Sequence, residues 1–254
     1  MSGALRAILA GALDPRRALA LDEAIVRSAP SRPTLVLWRT SPAVVIGRFQ
    51  RADWEVDAAA CSARGVRVWR RFTGGGAVFL DPGTVCVGLA LSGDHPHAAL
   101  GVPQLYDPLL EGVERALRAA GMDAVRDERT VRVDGSKVTG IAAHRSRAAT
   151  LVHGTVLADC DLTALRACLA GPRGGDLAGL PRPAPSRPDQ VANVGVNGLE
   201  ERLVEAFGAE PDALTSEELG RARDLEEARY SDPAWHAGPW APVTPPAVRA
   251  LLGS

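Results

Sequence analysis

The sequence predicts a mixed α/β (α+β) fold, with a largely antiparallel sheet flanked by helices. Three observations point there. Short apolar runs recur between Thr34 and Leu157, punctuated by turn signals such as Asp134-Gly135. Longer runs with helical spacing precede, interrupt and follow them. The two kinds never settle into the regular strand–helix–strand alternation of a doubly wound sheet. There is no internal repeat, and 254 residues are ample for a substantial core in one large domain or two small ones.

Taken in order, Asp14-Pro15 opens the first helix, with Asp as cap and Pro at the first helical position. Ala18, Leu21 and Ile25 supply its apolar stripe. Residues 34–38 and 43–47 are apolar runs split by a turn containing Pro42, and read as paired strands. Residues 57–65 fit a short helix stopped by Gly65. Val66-Arg67-Val68-Trp69 is a strand leading into a glycine-rich stretch. Asp81-Pro82-Gly83 has turn chemistry, so residues 84–91 are expected to return antiparallel as the second arm of a hairpin. Residues 107–121 are helical through Leu109, Leu110, Val113 and Leu117, with Gly121 as the stop. Residues 130–133, 137–142 and 150–157 read as strands. Asp161 caps a helix carrying Leu162, Leu165, Cys168 and Leu169 on one face. Residues 171–189, rich in Pro, Gly and Arg, form a loop long enough to invite a functional role. Residues 199–207 and 216–230 are amphipathic helices, and residues 239–254 read as a C-terminal tail.

Composition narrows the function. Hydrophobic residues at 46% and charged residues at 23% describe an ordinary soluble globular chain. A net charge of −1 leaves no basic footprint for nucleic acid or a membrane surface. No apolar run approaches the roughly 18 residues of a membrane span, and the first residues lack a cleavable signal pattern. Cys61, Cys86, Cys160 and Cys168 show no C-x-x-C spacing, so neither a zinc site nor a disulfide framework is expected. The expectation is a cytoplasmic protein with reduced thiols, and with no nucleic-acid or membrane partner.

The stretch Arg70-Arg71-Phe72-Thr73-Gly74-Gly75-Gly76-Ala77-Val78-Phe79 carries the strongest chemical signal. Glycine weakens a strand, so three together imply a sharp bend or the close approach of a backbone or ligand. Bare N–H groups and a guanidinium fork suit a carboxylate or phosphate. A kinked bulge with solvent-facing arginines fits the same residues. Lys137 follows a tight turn at the head of a strand, where lysine is ordinarily solvated. His153 lies in an apolar strand, where a hydrogen-bonded core or surface histidine is the ordinary finding.

Three motifs in order bear a resemblance. Arg-Arg-Phe-Thr-Gly-Gly-Gly-Ala-Val at residues 70–78 resembles the signature of lipoate–protein ligases, members of the biotin/lipoate protein ligase superfamily. Gly135-Ser136-Lys137-Val138-Thr139-Gly140-Ile141-Ala142 and Val152-His153-Gly154-Thr155-Val156-Leu157 are similar to that family's lysine and histidine motifs. Gly47-Arg48-Phe49-Gln50 matches a segment bordering its ligand cleft. Ser186-Arg187-Pro188 and the pair Tyr230 and Trp235 resemble segments near its end. The resemblance runs from about residue 14 to residue 235.

It implies a biotin/lipoate ligase-like catalytic domain over residues 1–238. The implied activity uses ATP and Mg²⁺ to convert lipoate or octanoate to an acyl-adenylate, then passes the acyl group to a lysine of a lipoyl-carrier protein. Lys137 would be catalytic, bridging acyl oxygen and phosphate. Arg71, Thr73, Gly74, Gly75, Gly76, Ala77, Val78, Gly140, Ala142, His153 and Gly154 would hold acyl chain and nucleotide, with no protein metal ligand. Arg71 would orient the carboxyl or phosphate end, and His153 would position the ligand and assist amine attack. The family's Asn-Asp pair before the lysine is Arg129-Thr130 here, with Asp127 and Glu128 just upstream. Its C-terminal accessory domain is not in this sequence, which leaves a separate partner subunit or independent action. Two other readings remain: an octanoyltransferase working through a Cys168 thiolate, and a non-catalytic binding module. A biotin ligase fits the glycine signature less well.

Overall fold

The computed structural model describes residues 4–127, 129–169 and 190–253. The chain opens with strand β1 (Arg6–Leu13) and helix α1 (Pro15–Arg27), whose N-terminus is capped by Asp14 accepting from the Arg16 N–H. Next come β2 (Thr34–Thr40), β3 (Ala43–Ile46), short helices α2 (Ala52–Glu55) and α3 (Ala58–Ala63), then β4 (Arg67–Arg70), β5 (Val78–Leu80) and β6 (Thr84–Ser92). Helix α4 (Val102–Ala119) leads to β7 (Ala124–Asp127), β8 (Thr130–Val133), β9 (Ser136–Lys137), β10 (Thr139–Arg145) and β11 (Ala149–Leu157). After α5 (Leu162–Cys168), the described chain resumes with α6 (Leu199–Phe207), β12 (Glu210–Pro211), α7 (Ser216–Leu225), α8 (Pro233–Ala237) and α9 (Pro246–Arg249).

Three sheets form. The central one runs β10-β11-β6-β2-β1-β12, antiparallel from β10 to β2 and parallel at β1. A second has β3 between β4 and β5, and a third joins β7, β8 and β9. Period-two alternation splits the central sheet's faces. Leu35, Leu37, Val85, Val87, Leu89, Val152 and Val156 pack beneath α4 and α6. Val36, Trp38, Cys86, Ala90 and Leu151 face α1 and the second sheet. A third apolar layer fills the space between the second sheet and α3, α5 and the C-terminal helices. Mixed α/β architecture with a largely antiparallel sheet is therefore what the chain adopts.

Several pairings differ from expectation. Strands β2 and β3 do not pair; each is an interior strand of a different sheet. Their runs are apolar on both faces, which suits a strand covered on both sides rather than a half-exposed hairpin. Likewise β5 joins β3 while β6 joins β2 and β11, so no hairpin forms across Asp81-Pro82-Gly83. Instead the Asp81 carboxylate accepts from the Gly83 and Asp161 N–H groups and the Thr84 hydroxyl, pinning the crossover. The strand expected over residues 137–142 is broken at Val138: β9 belongs to the third sheet and β10 to the central one. Helix α4 begins at Val102, five residues before Asp107, and carries Pro108 inside. The helix from Ser216 has the expected start, a Thr215–Glu218 capping box, but widens to a π-helical turn over Glu226–Tyr230.

The segment expected as a tail is docked. Gly253 donates to the Val68 carbonyl and Leu252 bridges Val68, while Val248, Leu251 and Leu252 are buried in the third layer. The loop over residues 171–189, with Ser186-Arg187-Pro188, lies outside the described residues, as does Glu128.

Candidate active site

The second sheet, α1 and one face of the central sheet enclose an apolar pocket, with an empty volume of about 590 Å³ including its open mouth. Cross-strand register explains its course. Trp38, Cys86, Thr155 and Gly140 are successive partners across β2, β6, β11 and β10, and all four line the pocket. Two residues along each strand, Val36, Gly88, His153 and Ala142 form the adjoining row. Leu19 and Asp22 of α1, Val45 of β3, and Val78 and Leu80 of β5 close it from above.

The glycine-rich stretch forms the remaining wall. Arg71 is buried, and all but one of its N–H bonds end on protein. Nη2 donates to the Gly74 and Gly76 carbonyls at 2.6 and 2.8 Å, Nη1 to the Val45 carbonyl at 3.1 Å, and Nε to Thr73 Oγ1 at 3.0 Å. The Arg71 assigned from sequence to a carboxyl or phosphate is thus occupied in shaping the loop. Arg70 does the same outside the pocket, reaching the Gly47, Arg48 and Gln50 carbonyls on one side and those of His236 and Ala237 on the other. Burial pulls both guanidinium pKa values down to about 10. Among the described residues neither has a carboxylate within ion-pair distance, so two buried positive charges stand behind the loop. Gly75 takes a φ of +86°, and a Cβ there would sit 2.8 Å from Ala142 Cβ. The bend is therefore held against β10.

Thr73 Oγ1 lies 2.7 Å from His153 Nε2. Arg71 Nε donates to the same oxygen, so Thr73 links the guanidinium to the imidazole. Burial, then Arg71 and His144, push His153 down to about 3. It is neutral at physiological pH, a hydrogen-bonding wall rather than a cation. Gly154 admits the Gly140 carbonyl, 2.3 Å from where a Cβ would be, so its smallness serves the sheet rather than a ligand.

Lys137 is not part of the pocket wall; it stands on β9, three residues before Gly140 in the chain. It pairs across strands with Arg132, and its carbonyl accepts from the Ala192 N–H. Burial, with Arg132 adding to it, lowers its pKa. No carboxylate among the described residues neutralises it. Of the other expected site residues, Arg71, Thr73, Gly76, Val78, Gly140, Ala142, His153 and Gly154 line the pocket together. Gly74 and Gly75 form the bend beside it, and Ala77 is buried in the third layer.

Sequence reading missed Asp22, Trp38, Cys86 and Thr155. Asp22 alone left a signal, a carboxylate interrupting the apolar stripe of α1. Cys168, the candidate nucleophile, is fully buried on α5 beside Cys61 and is absent from the pocket wall. A hydrogen bond from Cys61 lowers its pKa against the opposing effect of burial. Thr130 is buried and bonded to Thr139, and Asp127 pairs with Arg132, so neither resembles a metal ligand. The described residues contain no cluster of three His, Cys, Asp or Glu able to hold a metal ion, and no helix among them is long and apolar enough to cross a membrane.

Residues 14–208 match the model of the lipoyl protein ligase A/B catalytic domain. Lipoate-protein ligase A subunit 1 of Thermoplasma acidophilum is 30% identical over 248 residues, covering 88% of this chain and 92% of that one. Octanoyltransferase LipM of Kyrpidia tusciae is 34% identical over 265 residues, covering 86% and 93%. A structure from the analysis of an archaeal lipoylation system, a bi-partite lipoate protein ligase and its E2 lipoyl domain from T. acidophilum, superposes with a TM-score of 0.79 at 30% identity over 94% of this chain and 97% of that one. A lipoate-protein ligase A bound with ATP gives 0.78 at 29% identity over 94% and 99%.

Proposed function

The chain belongs to the lipoyl protein ligase A/B catalytic-domain family, and from that premise we propose that it is an ATP-dependent lipoate–protein ligase. In the first step a lipoate or octanoate carboxylate oxygen bonds to the α-phosphorus of ATP and pyrophosphate leaves. In the second, the ε-amine of a lysine on a lipoyl-carrier protein attacks the mixed anhydride, AMP leaves, and the amine proton passes to solvent. The observation that carries this reading is the apolar pocket along Trp38, Cys86, Thr155 and Gly140, whose Gly140 end lies three residues along the chain from Lys137, a lysine with no carboxylate partner among the described residues.

Each residue then has a task. The pocket takes the acyl chain out of water. Lys137, whose charge burial disfavours until an anion arrives, stabilises negative charge shared between acyl oxygen and phosphate. Arg71 holds Gly74 and Gly76 in the bend that faces the adenylate, and its field with that of Arg70 favours an anion there. Thr73 and neutral His153 fix the pocket wall beside the reacting carboxyl. No carboxylate cluster among the described residues would hold Mg²⁺, so the ion would come with the nucleotide and would offset charge on its phosphates. The ATP-bound relative supports the nucleotide, and the bi-partite one supports a lipoyl-carrier acceptor and a partner subunit supplied in trans. Residues 1–238 form the catalytic domain in this reading, with residues 239–254 as its C-terminal extension, and the protein acts in the cytoplasm.

The relative named octanoyltransferase favours a second reading, acyl transfer through a thiolate without ATP. Cys86 is the cysteine of the pocket wall among the described residues, and burial raises its thiol well above the ordinary range, which keeps it protonated and weakly nucleophilic. Cys168→Ala is accordingly expected to change turnover by no more than about twofold. Steady-state acylation of a carrier domain checks this, and abolished transfer would move the assignment to the thiol mechanism. The deciding experiment is intact-mass analysis of a lipoyl-carrier domain incubated with this protein and free lipoate, with and without MgATP. A mass gain requiring ATP supports the ligase, whereas acylation from octanoyl-carrier protein alone supports the transferase.

A further inference from the structure

One polar side chain of the pocket has no part in that chemistry. Asp22 projects from α1 into the pocket wall, 5% exposed, with Oδ1 accepting from the Trp38 indole N–H at 2.9 Å. Its place in the pocket follows from the strand order. The row Trp38, Cys86, Thr155, Gly140 crosses four adjacent strands, and three inter-strand steps of about 4.8 Å span about 14 Å. Lys137 lies three residues before Gly140 at one end of this row, whereas Trp38 and Asp22 close the other. If the ligase reading holds, a chain with its carboxyl at the Gly140 end puts its ω end against Asp22.

The surroundings of Asp22 are unusual for a carboxylate. From β2 it accepts from the Trp38 indole, and its charge is felt by the Cys86 thiol of β6 and the Tyr230 phenol of the π-helical turn. Neighbouring Glu23 holds Arg27, Arg229 and Tyr230 for itself. Arg39, which follows Trp38 on β2, is paired with Glu200, and Asp81 at the end of β5 acts on the same Cys86. Arg71, the pocket's own cation, is bound to loop carbonyls. No cation among the described residues pairs with Asp22.

We propose that Asp22 is a specificity-determining residue that reads the ω end of the acyl chain. In the occupied pocket its carboxyl is neutral, it favours a chain ending in a cyclic disulfide over a plain saturated one, and acyl binding takes up a proton. The physical basis is plain. A neutral carboxyl donates an O–H, and a ring sulfur accepts it weakly while also contacting the indole face of Trp38. A saturated chain does neither. A carboxylate pressed against any apolar chain would lose its remaining solvation. Burial already holds the Asp22 pKa at about 7 before a chain is bound, so the free protein is poised between the two states near neutral pH.

Two measurements test this. In the first, lipoate and octanoate compete at equal concentration for a lipoyl-carrier domain with MgATP, and the products are resolved by intact mass from about pH 6 to about pH 8.5. Asp22→Leu is expected to lower the lipoate-to-octanoate ratio about fivefold. The wild-type KM for octanoate should rise as pH passes about 7, and the near-isosteric Asp22→Asn should flatten that profile. In the second, octanoate alone is titrated calorimetrically at about pH 7.5 in two buffers of different ionisation enthalpy, without ATP or carrier. The wild type should take up on the order of half a proton more than Asp22→Asn, a difference that removes any contribution from Lys137. Equal ratios, parallel pH profiles and equal proton uptake in all three proteins would overturn the proposal. Should Asp22→Leu fail to fold, Asp22→Asn carries the pH and proton arms. If the wild type transfers neither acid to the carrier even with the second subunit of the bi-partite relative added, the ligase reading fails, while the calorimetry still reports on Asp22 by itself.

Discussion

Lys137→Ala is expected to slow ATP-dependent carrier acylation by about 10²–10³-fold while leaving thermal unfolding within a few degrees of the wild type. The two halves of this result have one cause. Lys137 is a half-buried ammonium beside Arg132, with its charged form disfavoured by burial and no carboxylate among the described residues to offset it. Such a group does little to stabilise the free protein. Its value appears when two anions, a carboxylate and a phosphate, are brought together next to it. Single-turnover formation of acyl-adenylate, followed by pyrophosphate release, measures the first step directly. Wild-type rates in a folded Lys137→Ala protein would remove Lys137 from the mechanism. The sign of the pH effect follows as well: a lysine whose pKa is lowered in the free protein regains its proton affinity when an anion binds, so ligand binding above that pKa draws protons in.

Arg71→Leu is expected to act the opposite way, on the fold before the chemistry. The side chain holds the Gly74, Gly76 and Val45 carbonyls, and its loss strands buried acceptors at about 1–3 kcal/mol each, partly offset by removing a desolvated charge. A net destabilisation of about 3 kcal/mol, or a fall in Tm of roughly 10 °C, follows for a chain of this size. Activity should vanish with it, because the bend between Thr73 and Gly76 loses its template. Urea unfolding followed by circular dichroism reads the stability arm. A Tm unchanged in Arg71→Leu, with only substrate binding impaired, would return the guanidinium to the ligand-orienting role that its residue type first implied.

That contrast shows what the sequence disclosed and what it withheld. Residue types and some local caps were legible: Asp14 and Asp161 each start the helix their chemistry announces. Residues of all three motifs line one pocket, although Lys137 itself does not. Pairing was not legible, because β2 and β3 are adjacent in sequence yet belong to different sheets, a choice made by the layers packed on each. Strand β1, Arg-Ala-Ile-Leu-Ala-Gly-Ala-Leu, was invisible for another reason. Its alanines and glycine have little β preference, and parallel pairing with β2 overrides that. Asp22, Trp38 and Cys86 meet only in three dimensions, so no local spacing could name them. Arg71 was found by type, but which oxygen it serves is a property of the folded loop.

The grip of the chain's far end on Arg70 bears on when, as well as how, the protein becomes competent. The Arg70 N–H donates to His236 Nδ1, its carbonyl accepts from the Trp235 indole, and its side chain reaches the His236 and Ala237 carbonyls, partners some 166 residues away. Contacts of such separation close late, since a long loop must be ordered before they repay its entropy. During synthesis five of the central sheet's six strands can assemble from residues up to Leu157, while the turn beside Arg70 waits for residues 235–237. A nascent chain would thus carry most of the pocket's sheet before the glycine-rich bend that completes its wall is held in place.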